Sequence, residues 1–172
     1  MSESARLVVF DSPIGWIGIS HCDLVVQRVR IGHASKEKVC AQFRMSQLGP
    51  SDPDRQERAL IKTFQRYFAG EPTDFLSIKI ANEGMTDFQK SVVAACRRIP
   101  SGDTISYGGL AAQVGRPGAA RAVGTVMRKN AFPIIVPCHR VVAASGLGGF
   151  TGPQGVSTKV QLQAVEKVGV AG

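Results

Sequence analysis

The chain is 172 residues long, 44% of them hydrophobic, with a formal net charge of +8 and a sequence pI near 9.7. That much apolar material can bury a core for one domain or two small ones, and no apolar run approaches the roughly 20 residues of a membrane span. The positive balance suits a polyanionic partner, nucleic acid first, although solubility alone would also account for it. The charge is uneven: residues 1–82 hold 11 Lys/Arg against 9 Asp/Glu, and residues 83–172 hold 10 against 4.

The opening MSESARLVVF has no charged region followed by a long apolar stretch, so no secretory leader is expected. A reducing compartment follows, cytoplasmic, or nuclear in a eukaryote. Cys22, Cys40, Cys96 and Cys138 are then expected as free thiols. Their spacing forms no CxxC, which excludes a paired zinc knuckle and a thioredoxin motif. RLVVF (6–10), GWIGIS (15–20) and LVVQRVRIG (24–32) are rich in β-branched residues and are separated by DSP and HCD, which predicts an antiparallel meander. Residues 33–54 have mixed polarity and end in the turn-rich GPSDPD.

RQERALIKTFQRYFAG (55–70) places Leu60, Ile61, Phe64, Tyr67 and Phe68 on one stripe, which predicts an amphipathic helix lying on the meander, with Gly70 at its C-cap. EPTDFLSIKIANEG (71–84) reads as a short strand and a linker, and the domain boundary is expected there. Thr86 followed by Gln89 is a capping box, opening a helix that runs to about Ile99, with Cys96 inside it as core, before PSGD breaks it. SYGGLAAQVG (106–115) and AARAVGTVMRKN (119–130), joined by RPG, form a helix-turn-helix. The second helix starts with Ala119, Ala120, Ala122 and Gly124 around Arg121. Helix packing would account for those small residues, but so would close approach to DNA through phosphates, groove shape and one probing side chain. No internal repeat or low-complexity segment occurs.

In IIVPCHRVV (134–142) a thiol, an imidazole and a guanidinium stand between apolar flanks that read as strand core. A buried cysteine at a strand end is the plain explanation; a thiolate activated by an imidazole is the other. Neighbours on an extended chain point to opposite sides, so His139 reaches Cys138 only across a backbone turn or through a water. A carboxylate to orient His139 must come from Glu83, Asp87, Asp103 or Glu166, and Glu166 lies in the predicted terminal helix TKVQLQAVEK.

PCHRV, preceded by ARAVGTVMRKNAFPIIV and IPSGDTISYGGLA, resembles the O6-alkylguanine-DNA alkyltransferases, also called methylated-DNA–protein-cysteine methyltransferases. The likeness runs closely from about Thr86 to Glu166 and more loosely over residues 5–80. It implies an α+β fold of two domains. Residues 1–82 would form an antiparallel sheet plus helix, ribonuclease H-like; residues 83–172 would be mostly helical, with the helix-turn-helix and the active-site cysteine. The implied activity is one-time transfer of an alkyl group from guanine O6, and also from thymine O4, to Cys138, with the target nucleotide flipped out of a duplex bound through its minor groove. His139 then resembles the base, acting through a water and oriented by Glu166. Asn130 resembles the hinge residue, and Tyr107 the donor to the departing guanine that also crowds a phosphate. Arg121 resembles the arginine that fills the gap in the stack. The remaining DNA contacts implied are Ala119, Ala120, Ala122, Gly124 and Arg128. Met127, Pro133, Val141, Ser145, Phe150 and Thr151 would line the lesion pocket.

The resemblance implies no cofactor, no membrane partner and a monomer, with cooperative assembly on DNA left open. Two departures stand out. GGFTGPQG (148–155) is longer and richer in Gly and Pro than the usual glycine turn, and Val93 stands where an aromatic is frequent. Of the zinc ligands some members carry, Cys22 matches one position but Gln27 replaces a histidine, and His21, His33 and Cys40 are out of place, so no metal is expected. A damage sensor lacking the acceptor thiol, a regulator fused to this domain, and a Cys-His hydrolase unrelated to DNA are the alternatives. Cys138 opposes the first, the lack of an extension in this sequence the second, and the basic helix-turn-helix the third. Arg140 is expected to tie the active-site loop to its surroundings.

Overall fold

The computed structural model describes residues 5–43 and 52–171, so residues 49–51 of the predicted GPSDPD turn lie outside it. Three strands, β1 (Arg6–Phe10), β2 (Trp16–Cys22) and β3 (Val25–His33), pair antiparallel in the order β1-β2-β3, with Arg6 opposite His21 and Ile19 opposite Val29. This is the expected meander. Alternation divides β1 between two cores: Val8 and Phe10 join the main one, while Leu7 and Val9 join a smaller one with Val39 and Phe43. Val39 belongs to α1 (Lys36–Cys40), a short helix capped by Ser35 that the mixed polarity of residues 33–54 does not reveal.

On the main-core side lies α2 (Arg55–Phe68), as its periodicity predicts. Phe64 and Tyr67 are buried, and Leu60, Ile61 and Phe68 pack beside them. Edge-to-face ring contacts join Phe64 to Phe10 at 5.7 Å and to Phe75 at 5.2 Å. The strand expected within residues 71–84 does not form. An Asx turn, Leu76 N–H to Asp74 Oδ1, bends the segment, and Arg97 Nη2 takes the carbonyls of Phe75, Leu76 and Ile78 that a ladder would need. Only Ile80 bridges to Val26 of β3.

The remainder is mostly helical. α3 (Asp87–Arg97) begins at the predicted capping box of Thr86 and Gln89 and buries Cys96, whose thiol burial pushes up. Two short strands, β4 (Ile105–Ser106) and β5 (Val141–Val142), pair in parallel. α4 (Tyr107–Gln113) and α5 (Ala120–Arg128) make the helix-turn-helix, with Ser106 capping α4 and Lys129 ending α5 one residue short of Asn130. α6 (Val156–Ala171) closes the chain. No helix among the described residues is long and apolar enough to cross a membrane. One core cluster contains residues from β1 through α6, and Val29 N–H of β3 bonds the Ala131 carbonyl just after α5 at 2.8 Å.

A buried ion-pair hub fastens α2 to the sheet. Glu57 is fully buried and accepts from Arg6 Nε at 2.6 Å, Arg6 Nη2 at 2.7 Å and the Asp54 N–H at 2.7 Å. Because the Leu24 N–H donates to His21 Nδ1, the ring proton sits on Nε2, which donates to Glu57 Oε1 at 2.8 Å. The Arg6 hydrogen bonds, helped by Asp54 and His21, outweigh burial and hold the Glu57 carboxyl at about 2, against an ordinary 4.5. A depressed carboxyl contributes its stability above the unfolded-state value and loses it as pH falls through the folded one. Glu57→Gln is therefore expected to cost about 3 kcal/mol at neutral pH in urea unfolding. The gap from the parent protein should close as pH falls from 4.5 towards about 2.

Candidate active site

The site is assembled by the turn after α5. Asn130 donates from Nδ2 to the Val136 carbonyl at 2.9 Å and accepts the Phe132 N–H on Oδ1 at 2.9 Å, so one amide spans the whole turn. Val136 N–H bonds the Phe132 carbonyl at 2.8 Å. Ile134, buried at the apex, has φ +74°, an outlier for a β-branched side chain. The apolar flank before Cys138 is thus a tight turn. A strand is excluded there because the Asn130 bonds and the left-handed residue close the backbone on itself.

Cys138–Arg140 form a single 3₁₀ turn leading into β5. That turn answers how a cysteine and the histidine beside it can share one site. Burial pushes the Cys138 thiol above its ordinary value. A hydrogen bond with Asn130, the Lys159 charge and the backbone N–H groups of Cys138 and His139 only partly offset it. The resting thiol therefore keeps its proton, in contrast to a preformed thiolate.

His139 is fully buried. Its Nε2 donates to Glu166 Oε1 at 2.5 Å, and Nδ1 is buried with no partner among the described residues. Burial lowers the imidazole pKa despite the Glu166 contact, so the ring is neutral with Nδ1 as a free acceptor. Glu166, from α6, gathers three further groups. Tyr67 Oη donates to Oε1 at 2.9 Å, Arg140 Nε and Nη2 donate at 3.1 and 2.8 Å, and the Gly102 N–H reaches Oε2 at 3.2 Å. Burial raises this carboxyl, but His139 and Arg140 outweigh it and hold it at about 2. Arg140 also donates from Nη1 to the Ile99 carbonyl at 2.5 Å. It ties the loop to its surroundings, as expected.

Two cavities meet at the thiol. One, of about 570 Å³, is lined by Tyr107, Arg121, Gly124 and Thr125 of the helix-turn-helix and by Gly149. The other, of about 830 Å³, runs from the thiol past Asn130 and Pro133 to β3 and α1. Met127, Arg128, Cys138, Phe150 and Thr151 line both. Gly148, at φ +71°, permits the close approach of Tyr107, whose Oη would lie 2.7 Å from any Cβ there. Ala119, Ala120 and Ala122 stand at the start of α5 and line neither cavity. Nor does Val141, which is fully buried, or Ser145, which is exposed on the Ala143–Gly146 turn.

Two participants escaped the sequence reading. Tyr67 looks like one more aromatic on a core stripe, with no local sign of a long-range hydroxyl contact. Lys159 is fully buried, and its Nζ donates to the Val141 carbonyl at 2.7 Å and the Gly149 carbonyl at 3.3 Å, 5.9 Å from the Tyr107 ring centre. Its signal was available: Lys159, buried Leu162 and Glu166 fall on one face of α6. No group of three or more His, Cys, Asp or Glu among the described residues could hold a metal.

Fold and site define a class: an α+β protein whose helix-turn-helix and cysteine pocket share one wall. Residues 87–168 match the family described as 6-O-methylguanine DNA methyltransferase, DNA binding domain. A methylated-DNA–protein-cysteine methyltransferase of Mycolicibacterium paratuberculosis is 39% identical over 158 residues, 91% of this chain and 89% of that one. The Mycobacterium tuberculosis protein of the same name is 40% identical over the same shares. Among solved structures, Mycobacterium tuberculosis OGT in complex with DNA superposes with a TM-score of 0.77 at 36% identity, covering 95% of this chain and 94% of that one. The O6-methylguanine-DNA methyltransferase of Pyrococcus kodakaraensis gives 0.72 at 27%, covering 94% and 99%. The chain belongs to the methylated-DNA–protein-cysteine methyltransferase family.

Lysine cannot reproduce the fork that Arg140 places on both Glu166 and the Ile99 carbonyl. Arg140→Lys is expected to lower unfolding free energy by about 2 kcal/mol, read by chemical denaturation.

Proposed function

We propose that this protein repairs DNA by direct reversal, moving the alkyl group of O6-alkylguanine, and of O4-alkylthymine, onto Cys138. The observation that carries this is the thiol at the junction of two cavities, one walled by the helix-turn-helix, beside a neutral imidazole with a free buried nitrogen. As Cys138 Sγ attacks the alkyl carbon, the S–C bond forms, the C–O6 bond breaks, and its electron pair goes to guanine O6. The thiol proton passes through a water to His139 Nδ1, while Glu166 keeps Nε2–H in place. The Tyr107 phenol, its pKa raised by burial, remains a donor towards the departing base. A thioether does not hydrolyse, so each molecule acts once.

The nucleotide must leave the stack to reach a thiol at this depth. Arg121, exposed at the second position of α5, fills the gap. Ala119, Ala120, Ala122 and Gly124 let the helix sit close in the minor groove, and Arg128 meets a phosphate. The uncapped N-terminus of α5, where Ala119 makes no side-chain bond, offers backbone N–H groups to the same backbone. Met127, Pro133, Phe150 and Thr151 wall the lesion, with the Cys138 carbonyl towards the guanine amino group, whereas Val141, whose carbonyl is taken by Lys159, and Ser145 lie outside both cavities. Residues 83–172 form the working domain and residues 1–82 its buttress, through Tyr67 on Glu166 and Val29 on Ala131. The setting is the cytoplasm, or the nucleus in a eukaryote, with the protein acting as a monomer.

Incubation with a duplex bearing O6-methylguanine is expected to add the mass of one CH2 group to the peptide holding Cys138 and then stop at one equivalent. No mass gain, or continued turnover, defeats the reading. Arg121→Ala is expected to slow reaction with the duplex about tenfold more than reaction with a free O6-alkylguanine base. Equal losses on both would remove Arg121 from the flipping step.

A further inference from the structure

The larger cavity carries charge of one sign. Arg28, Arg30, Lys38, Arg128 and Lys129 line it with His33 beside them, and no Asp or Glu among the described residues does. None of the five cations forms an ion pair among the described residues. Arg28 and Arg30, two apart on β3, share one side of the strand, and Arg30 Nη1 reaches only the Val29 carbonyl, at 3.3 Å. Burial and the neighbouring Arg28 lower the Arg30 pKa, and burial and Arg30 lower that of His33. Like charges are thus crowded in a cleft that holds no counter-ion among the described residues, an arrangement that concentrates positive potential.

The cavity also lies where a substituent would go. A base arriving past Tyr107 and Arg121 meets Met127, Phe150, Thr151 and the thiol, which belong to both cavities. In-line displacement aligns Sγ, the attacked carbon and O6, so anything else on that carbon must project sideways from the thiol. With the base on the helix-turn-helix side, the other open space at the thiol is the basic cavity.

We infer that this cavity is a substituent channel favouring O6 adducts that bear an anionic group, a carboxylate above all, through Arg28, Arg30 and Lys38. This rests on the alkyl-transfer reading above. For an O6-carboxymethyl adduct the sulfur pair forms S–CH2, the CH2–O6 bond breaks with its pair going to O6, and the thiol proton, relayed through the water and His139, balances the one that guanine gains. The product is S-carboxymethyl Cys138 and unmodified guanine, with no further reactant.

The test compares single-turnover rate constants on one duplex carrying O6-methyl, O6-carboxymethyl or O6-carbamoylmethyl guanine. The carbamoyl group has nearly the shape of the carboxylate without its charge. In the R28Q/R30Q/K38Q variant the ratio of carboxymethyl to carbamoylmethyl rates is expected to fall about tenfold from the parent value. The O6-methyl rate and duplex affinity should stay within about twofold. In the parent protein the same ratio should fall as salt rises from roughly 50 to 500 mM. This arm needs no variant, and K38Q on the exposed α1 provides a mild one should the triple variant fail to fold. An unchanged ratio overturns the channel. So does an equal loss on all three duplexes with weakened affinity, which would mark the cations as DNA-backbone contacts. No transfer from the O6-methyl duplex to the parent protein would overturn the reaction itself, and the channel with it.

Discussion

Everything around the thiol depends on one buried carboxylate. Glu166 receives hydrogen bonds from α2 through Tyr67, from the loop after α3 through Gly102, and from the 3₁₀ turn through His139 and Arg140. Burying an unpaired carboxylate costs several kcal/mol. The charge survives because Arg140 neutralises it and because donors occupy its lone pairs. The same demand explains why Arg140 stands next to His139. The two side chains leave one short turn and converge on one acceptor, the first supplying charge and the second accepting orientation. With Nε2 committed to Glu166, the basic nitrogen left to His139 is Nδ1, and nothing else in the site needs to choose the tautomer.

A second constraint acts on the backbone before the cysteine. Ile134 holds a left-handed conformation that costs about 1–3 kcal/mol in a β-branched residue. It persists because both ends of the Asn130 amide clamp the turn, Val29 of β3 holds Ala131, and Ile134 and Ile135 are buried beneath it. The strand that continues from the turn is only two residues long, so hydrogen bonding along β5 cannot supply this rigidity. The sheet of the first half is therefore part of the site without lending it a reacting group. The thiol sits on a segment fixed from below by core packing and from the side by β3.

Local patterns in the chain gave away the meander, α2, the capping box at Thr86 and the helix-turn-helix, because each is set by spacing within ten or so residues. Local pattern misleads where a distant group decides the local conformation. IIV before Cys138 has the composition of a strand, but Asn130 closes it into a turn. Residues 71–84 alternate like a strand, but Arg97 takes their carbonyls. At the site, Cys138, His139 and Glu166 were legible as chemistry, and Asn130 through the family likeness. Tyr67 was not, since a phenol used for its hydroxyl and one used for its ring look alike on an amphipathic helix.

Charge shows the same limit of summation. The first 82 residues have nearly balanced charges, which suggests an electrically dull half. In the fold the balance is separated in space. Glu57 is spent on Arg6 and His21 at the far end of β1, and Glu71 pairs with Arg66 on α2. Arg28, Arg30 and Lys38 are left facing the same cleft as Arg128 and Lys129 from the basic half. A cleft whose cations come from both halves cannot be inferred from either half's net charge. It arises because β3 lies against the turn after α5, bonding Ala131, which brings the arginines of that strand into the lining of a cavity that also reaches the thiol.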